Sequence, residues 1–172
     1  MNVLGIDIGY SNLKLAYGPQ GAEPKVLLRP AGAAPADRLG EKIGGNGEED
    51  FLRVLVNGEP FVAGLSPDRA ELWSRELHED YPSTNSYRAL FHAGLLLSEL
   101  DQIDLVVTGL PVNQYLNPEL RERLAAQMQG EHQITPRRKI TVSKVKVVPQ
   151  PVGGFVDHVW SLQDATEIED SR

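Results

Sequence analysis

One polar turn near the start of the chain carries the side chains best suited to binding a charged ligand. The turn is Gly9-Tyr10-Ser11-Asn12, with Asp7 two positions before it and Lys14 two positions after it. Glycine adopts positive φ angles freely and asparagine tolerates them, so this sequence is typical of a tight turn. An anion at the turn would meet backbone N–H groups, a hydroxyl and an ammonium group, while the carboxylate could hold a hydrated cation. The pattern fits a phosphate-binding hairpin, and it fits equally well an ordinary hairpin with a polar tip.

Two apolar runs flank this turn and would position it. The first predicts a mostly buried strand, and the second alternates apolar and polar residues as a half-buried strand does. The apolar residues are Val3, Leu4, Ile6 and Ile8 in the first run and Leu13, Leu15 and Tyr17 in the second. Residues 25–29 predict a third strand.

Composition and charge narrow the classes of function. The 172 residues are 41% hydrophobic and 24% charged, which is ordinary for a globular protein, and their net charge is −7. An acidic balance argues against a surface that binds nucleic acid directly, although it allows a local site for a nucleotide. The chain has no cysteine, so disulfides and Cys-based metal sites are excluded. No apolar run approaches the ~20 residues of a membrane span, and we expect a cytoplasmic protein without membrane contact.

The middle of the chain predicts a small appendage with some β structure. Residues 30–50 are rich in Gly, Ala and Pro and show no sustained period. Residues 51–56 and 60–63 flank Asn57-Gly58, the strongest short signal for a β-hairpin. We therefore assign residues 30–82 to an inserted appendage.

The second part of the chain alternates helical and strand patterns. A helix capped by Ser83 or Thr84 is predicted to run to about Leu100 and to pack on a sheet. Its inward stripe is predicted from the apolar residues at helical spacing, which are Ala89, Leu90, Ala93, Leu96, Leu97 and Leu100. A short buried strand at 104–109 follows, then a helix with Asn117 as N-cap that ends at Gln129. Residues 140–148 predict one or two further strands, so the fold class is α/β with a mixed sheet.

Two further features suggest sites but have simpler explanations. His92 is a lone histidine on the first helix and is interpreted as polar surface or as a hydrogen-bonded side chain rather than a metal ligand. Pro136-Arg137-Arg138-Lys139 is a basic cluster in an acidic chain, and the solvated face of a loop explains it better than a nucleic-acid patch.

Three landmarks in order resemble the actin-like ATPase superfamily, which shares the actin, Hsp70 and sugar-kinase fold. The residues from Asp7 to Lys14 are similar to its first phosphate motif. Gly109-Leu110-Pro111 follows the central strand, and Pro149-Gln150 ends the last strand, as in the bacterial and plasmid segregation proteins of the ParM/StbA type. The resemblance covers the chain from Met1 to about His158.

The resemblance implies the first domain of such a protein, in the ribonuclease H-like class. Residues 1–29 and 83–160 would form its core, residues 30–82 the inserted appendage, and residues 161–172 a frayed tail. The relatives are roughly twice this length, so we expect an N-terminal half that lacks the second phosphate hairpin, the second connecting helix and the adenosine-binding Gly-Gly.

The resemblance also implies a role for each site residue. Asp7 would hold Mg²⁺ through water. The phosphates of ATP would lie against Gly9, Tyr10, Ser11 and Asn12, with Lys14 neutralising their charge. Gln150 would orient the attacking water. Tyr10 departs from the small hydroxyl residue common in actins, which puts a contact through its own hydroxyl in doubt but leaves its N–H available.

The implied function is ATP-dependent assembly into filaments that segregate plasmids or other DNA through a DNA-binding adaptor protein. ATPase activity is expected of the full-length protein and not of this half alone. Two alternatives remain open: a small-molecule kinase of the same fold, and an assembly or binding module that does not hydrolyse ATP. The kinase would need a catalytic carboxylate, and the sequence has Gln150 at the expected place.

Overall fold

The computed structural model of this chain describes residues 1–38, 51–65 and 81–150. Its strands are β1 Asn2–Ile8, β2 Asn12–Pro19, β3 Lys25–Pro30, β4 Gly32–Pro35, β5 Leu52–Val56, β6 Glu59–Leu65, β7 Gln102–Ile103, β8 Leu105–Leu110, β9 Gly130–Thr135, β10 Arg138–Val142 and β11 Val145–Pro149. Its α-helices are α1 Asn85–Leu97, α2 Val112–Tyr115 and α3 Pro118–Met128, with 3₁₀ turns at Ala36–Arg38 and Tyr81–Ser83. The predicted segments at 151–160 and 161–172 lie outside the described residues.

A five-stranded sheet in the order β11-β8-β1-β2-β3 forms the centre of the fold. β11, β8 and β1 run parallel, whereas β2 pairs antiparallel with β1 and β3. Two three-stranded sheets, β4-β6-β5 and β7-β10-β9, complete the described strands. The predicted α/β class with a mixed sheet is confirmed.

The predicted N-terminal hairpin is present with the predicted faces. Along β2, Leu13, Leu15 and Tyr17 are buried while Lys14 and Ala16 are exposed. This alternation fixes the register, because a shift by one residue would turn every apolar side chain to the other face.

Helix α1 packs closely on this hairpin. Thr84 caps it, as one of the two predicted caps, by accepting a hydrogen bond from the Tyr87 N–H at 3.1 Å. A Cβ on Gly94 would lie 2.6 Å from Ile6 Cδ1 and 3.1 Å from Leu15 Cδ2, so the ends of these two side chains pack against the glycine and would have to shift for any larger residue. The helix ends at Leu97, three residues before the predicted end, because Glu99 adopts a left-handed φ of 57°.

Residues 30–82 hold the sheet β4-β6-β5, which shares the main core. Val54, Val56 and Phe61 belong to the same buried cluster as Leu4 of the central sheet. Helix α1 is therefore covered on two sides, which explains why Phe91, outside its predicted inward stripe, is also buried. The boundaries of the appendage stay a prediction.

Three strands occur where the sequence predicted none. β4 lies within a stretch without sustained periodicity, the two-residue β7 precedes the predicted strand at 104–109, and β9 begins directly after the predicted helix end at Gln129. β9 pairs with β10 across a turn at Pro136-Arg137, and the other two residues of the basic cluster, Arg138 and Lys139, begin β10. There Lys139 contacts Glu131 at 2.7 Å and Arg138 contacts Asp101 at 3.2 Å, so two of the basic side chains face acidic neighbours at the surface.

His92 is buried, so its interpretation as polar surface is wrong. Its interpretation as a hydrogen-bonded side chain is correct for one of the two ring nitrogens. Its Nδ1–H donates to the Leu55 carbonyl at 2.6 Å, and its Nε2 has no partner among the described residues. His132 packs beside it at 5.4 Å between ring centroids and bonds the Met128 carbonyl at 2.9 Å. Burial lowers the pKa of both imidazoles, that of His92 to about 4.

No helix in the described ranges 1–38, 51–65 and 81–150 has the length and apolar character that crossing a membrane requires.

Candidate functional site

The hairpin register places Asp7 directly opposite Lys14. The two residues are cross-strand partners, so their side chains stand on the same face of the sheet. Lys14 Nζ lies 3.6 Å from Asp7 Oδ2, with 60% of the lysine and 43% of the aspartate side chain exposed. An ion pair this exposed contributes about 0–1 kcal/mol to stability. Both charges therefore remain available to a ligand at little cost.

The turn between them is tight and leaves its polar side chains in solvent. The Gly9 N–H donates to the Asn12 carbonyl at 3.0 Å, and the Ser11 carbonyl accepts from the Ala31 N–H at 3.0 Å. Tyr10, Ser11 and Asn12 are all exposed. An incoming anion would therefore reach the Ser11 hydroxyl and the Asn12 amide without displacing a packed side chain.

Gln150 reaches the same place from the far end of the sequence. β1, β8 and β11 are parallel neighbours, so their carboxyl ends meet at one edge of the sheet. The Gln150 N–H donates to the Leu110 carbonyl at 2.9 Å and extends the β11–β8 ladder by one bond. Its side-chain Nε2 donates to Asp7 Oδ1 at 3.3 Å. The structure thus brings three predicted site residues, Asp7, Lys14 and Gln150, into one cluster.

Gly109 makes room for this arrangement. A Cβ at that position would lie 2.8 Å from Gln150 Cγ, closer than real Cβ atoms approach. The Gly109-Leu110-Pro111 landmark therefore has a physical function. Its glycine lets the Gln150 side chain cross β8 on the way to Asp7.

A cavity of about 80 Å³ lies beside Gln150 and the turn. It is lined by Ile8, Gly9, Tyr10, Tyr81, Pro82, Tyr87, Gly109, Leu110, Pro111, Gln114 and Gln150. Sequence reasoning missed Tyr81, Tyr87 and Gln114. Extending the inward stripe of α1 back from Leu90 by three residues would have reached Tyr87, whereas no spacing signal marks the other two.

Tyr81 and Tyr87, two of the residues that line this cavity, are kept protonated. Burial, and then the neighbouring Tyr10, raise the pKa of Tyr81 to about 12. Burial also raises the pKa of Tyr87, and the negative charge of Asp7 adds to the effect. At neutral pH both phenols are therefore hydrogen-bond donors without charge.

The possible metal ligands at the carboxyl edge of the central sheet suit a cation that keeps most of its water better than a cation bound by protein atoms alone. In the part of the chain that the structure describes, no three His, Cys, Asp or Glu side chains cluster as metal ligands. Asp7 offers one carboxylate. Mg²⁺ commonly keeps several waters and is held by one or two carboxylates together with phosphate oxygens of a substrate. The residues present fit Mg²⁺ in that form, as part of a phosphate complex.

Comparison with known families gives one match over most of the chain. A family described as "Actin like proteins N terminal domain" matches residues 5–153. No curated protein is similar enough to the chain to count as a match.

Several solved structures share the fold. The apo psk41 ParM protein superposes with a TM-score of 0.62 at 16% identity, over 88% of this chain and 50% of that one. Bacillus thuringiensis ParM with AMPPNP gives 0.52 at 14% identity, over 85% and 44%. The Alp12 filament structure gives 0.52 at 12% identity, over 86% and 46%. The chain spans about half the length of these proteins, and at such identities the likeness establishes the fold alone. The predicted actin-like fold is confirmed.

Proposed function

The chain belongs to the family of actin-like proteins. From this membership, and from the side chains gathered at the carboxyl edge of the central sheet, we propose that the chain supplies one side of an ATP·Mg²⁺ site. The observation that carries the proposal is the meeting of Asp7, Lys14 and Gln150 at the carboxyl ends of β1, β8 and β11. Gln150 is 143 positions from Asp7 in the sequence, and the exposed Asp7–Lys14 pair contributes little to stability, so folding alone does not account for this cluster. The nucleotide in the fold-related Bacillus thuringiensis ParM structure is AMPPNP.

The turn and Lys14 bind the phosphates in this proposal. Gly9, Tyr10, Ser11 and Asn12 offer backbone N–H groups, and the exposed hydroxyl and amide side chains offer further donors. Lys14 supplies a compact positive charge on a mobile stem, which suits a phosphate that changes position during turnover.

Asp7 holds the hydrated Mg²⁺ that accompanies the nucleotide. When bound there, the ion would supply positive charge to the phosphate oxygens. The hydrogen bond from Gln150 and the ion pair with Lys14 keep the Asp7 carboxylate pointed toward the edge of the sheet.

Gln150 orients the water that attacks the terminal phosphate. An amide is too weakly basic to remove a proton, so its contribution is orientation. The cavity beside it has room for more than one water molecule. The described lining of that cavity contains no carboxylate, which disfavours a kinase that must deprotonate an alcohol.

Filament assembly is the second part of the proposal. A full-length protein of this family would assemble with ATP in the cytoplasm and move plasmids or other DNA through a DNA-binding adaptor. The fold match to the Alp12 filament supports self-association. The net charge of −7 agrees with a separate adaptor that contacts the DNA.

Replacing Gln150 with alanine tests the site in the full-length protein. We expect ATP affinity within about threefold of wild type, because the turn, Lys14 and Asp7 remain, and hydrolysis slowed by roughly 100-fold, because the attacking water is no longer oriented. Affinity is measured by titration calorimetry with ATP·Mg²⁺, and hydrolysis by phosphate release at several protein concentrations. A wild type that binds no ATP, or a Gln150→Ala variant that hydrolyses it at the normal rate, would refute the assignment.

A further inference from the structure

Three tyrosine rings connect the tip of the turn to the interior of the protein. Tyr10 and Tyr81 stack with their centroids 4.9 Å apart and their planes at 26°. Tyr81 meets Tyr87 edge to face at 5.3 Å and 90°. We call these rings the tyrosine column. Its outer ring is half exposed and its inner ring is buried, so the column links a surface turn to the core.

The backbone that carries the inner two rings of the column is firmly anchored. The Tyr81 carbonyl accepts hydrogen bonds from the Thr84 N–H at 3.0 Å and the Thr84 hydroxyl at 2.8 Å. Thr84 in turn caps α1, and α1 is seated on β1 and β2 through the close approach at Gly94. Tyr81 therefore presents a fixed surface to whatever packs against it.

The outer ring belongs to the turn that would receive phosphate. Tyr10 is the second residue of the turn, and its stack on Tyr81 restrains the backbone between Gly9 and Ser11 from the side. We infer that Tyr81 is a positioning residue: by stacking on Tyr10 it holds the turn in the conformation that receives the phosphates. This inference rests on the proposed function. Tyr81 also lines the cavity, and it acts on the turn through Tyr10.

The ring, and not the hydroxyl, carries this function. Tyr81→Phe keeps the stack, while Tyr81→Leu removes it and keeps an apolar side chain. A stacked aromatic pair contributes enough that its loss should weaken ATP·Mg²⁺ binding by about 2- to 10-fold. Tyr10→Leu should weaken binding by the same factor, and the double variant should be no worse than either single one. Tyr115→Leu, which removes a half-buried tyrosine outside the column, is the matched control and should bind as wild type does.

The experiment has two readouts, so that a wrong inference about Tyr81 can be distinguished from a wrong proposal about ATP binding. Heteronuclear NOE values of the Tyr10 and Ser11 amides, measured without nucleotide, report the order of the turn. Calorimetric titration with ATP·Mg²⁺ reports affinity in the full-length protein. We expect Tyr81→Leu to lower both NOE values and the affinity, and Tyr81→Phe to restore both. Unchanged NOE values in Tyr81→Leu, or additive losses in the double variant, overturn the inference. If wild type binds no ATP, the proposed function fails, and the NOE comparison still decides whether Tyr81 positions the turn.

Discussion

Replacing Gly109 with alanine should displace the Gln150 side chain without removing any group that touches nucleotide. The new Cβ would lie 2.8 Å from Gln150 Cγ, so Cγ must move by at least about 0.6 Å to reach ordinary contact distance. Gln150 Cα and Cβ, at 3.5 and 3.7 Å from the same point, need not move. The strain is therefore relieved by rotating the side chain, which carries its amide away from Asp7.

The size of the effect follows from this displacement. The amide lies beyond Cγ and moves farther than it does, by roughly 1 Å, and a misplacement of that size can slow a reaction about 100-fold. The weakened hydrogen bond to Asp7 removes only about 1 kcal/mol of stability. We expect Gly109→Ala to slow ATP hydrolysis 10- to 100-fold, with nearly unchanged affinity and a small change in melting temperature.

Phosphate-release kinetics on the full-length protein measure this prediction against a matched glycine variant. Gly5→Ala, on the neighbouring strand β1, places its Cβ 3.5 Å from the carbonyl oxygen of Ala16 on β2, an ordinary contact, and should hydrolyse ATP normally. The double variant Gly109→Ala/Gln150→Ala should be no slower than Gln150→Ala alone, because both changes act on one side chain. Additive losses, or a Gly109→Ala variant as fast as wild type, would refute the reasoning.

The other predictions concern the cation, the helix cap and the buried histidines. Asp7→Asn keeps the size and the acceptor oxygen but loses the charge, so ATP affinity should fall roughly tenfold in Mg²⁺ and should not fall in EDTA, as measured by calorimetry. Thr84→Ala should lower the free energy of unfolding by about 1 kcal/mol in urea denaturation, because the Tyr87 N–H loses its cap. Below pH 6.5 the unfolded chain protonates His92 while the folded chain, with its pKa of about 4, does not. The free energy of unfolding should therefore be highest above pH 6.5 and fall by up to about 3 kcal/mol as the pH drops to 4. A His92→Gln/His132→Gln variant should lose most of this pH dependence in thermal denaturation, and an unchanged slope would contradict the assignment.

Local signals in the sequence were sufficient for the hairpin and the helix starts. Asn57 and Gly58 both adopt positive φ, 53° and 83°, as a two-residue hairpin turn requires. Asn117 caps α3 by accepting from the Glu119 N–H at 3.0 Å, with Pro118 in the first turn. Each of these features depends on a few adjacent residues, and for that reason it could be predicted.

Features that depend on distant partners escaped prediction. β9 has only two buried side chains, His132 and Ile134, and it exists because β10 pairs with it and α1 packs nearby. His92 is covered by Leu55 of β5 and His132 of β9, and neither contact is visible in the sequence around the histidine. The periodicity of apolar residues in a helix predicts the one face that packs on a sheet. Whether a second face of the helix is also buried depends on the other elements of the assembled fold.

For the candidate site, the sequence alone determined the residue types and their order: a polar turn between two strands, with a carboxylate and a lysine at matched positions. Strand alternation then placed Asp7 and Lys14 on one face, because the side-chain period of a strand is two. Only the tertiary structure decided that Gln150 lies 3.3 Å from Asp7, since this distance depends on β11, β8 and β1 lying side by side and on the space left by Gly109. The stacking of Tyr10 on Tyr81 was likewise decided by the docking of α1, which no local pattern encodes.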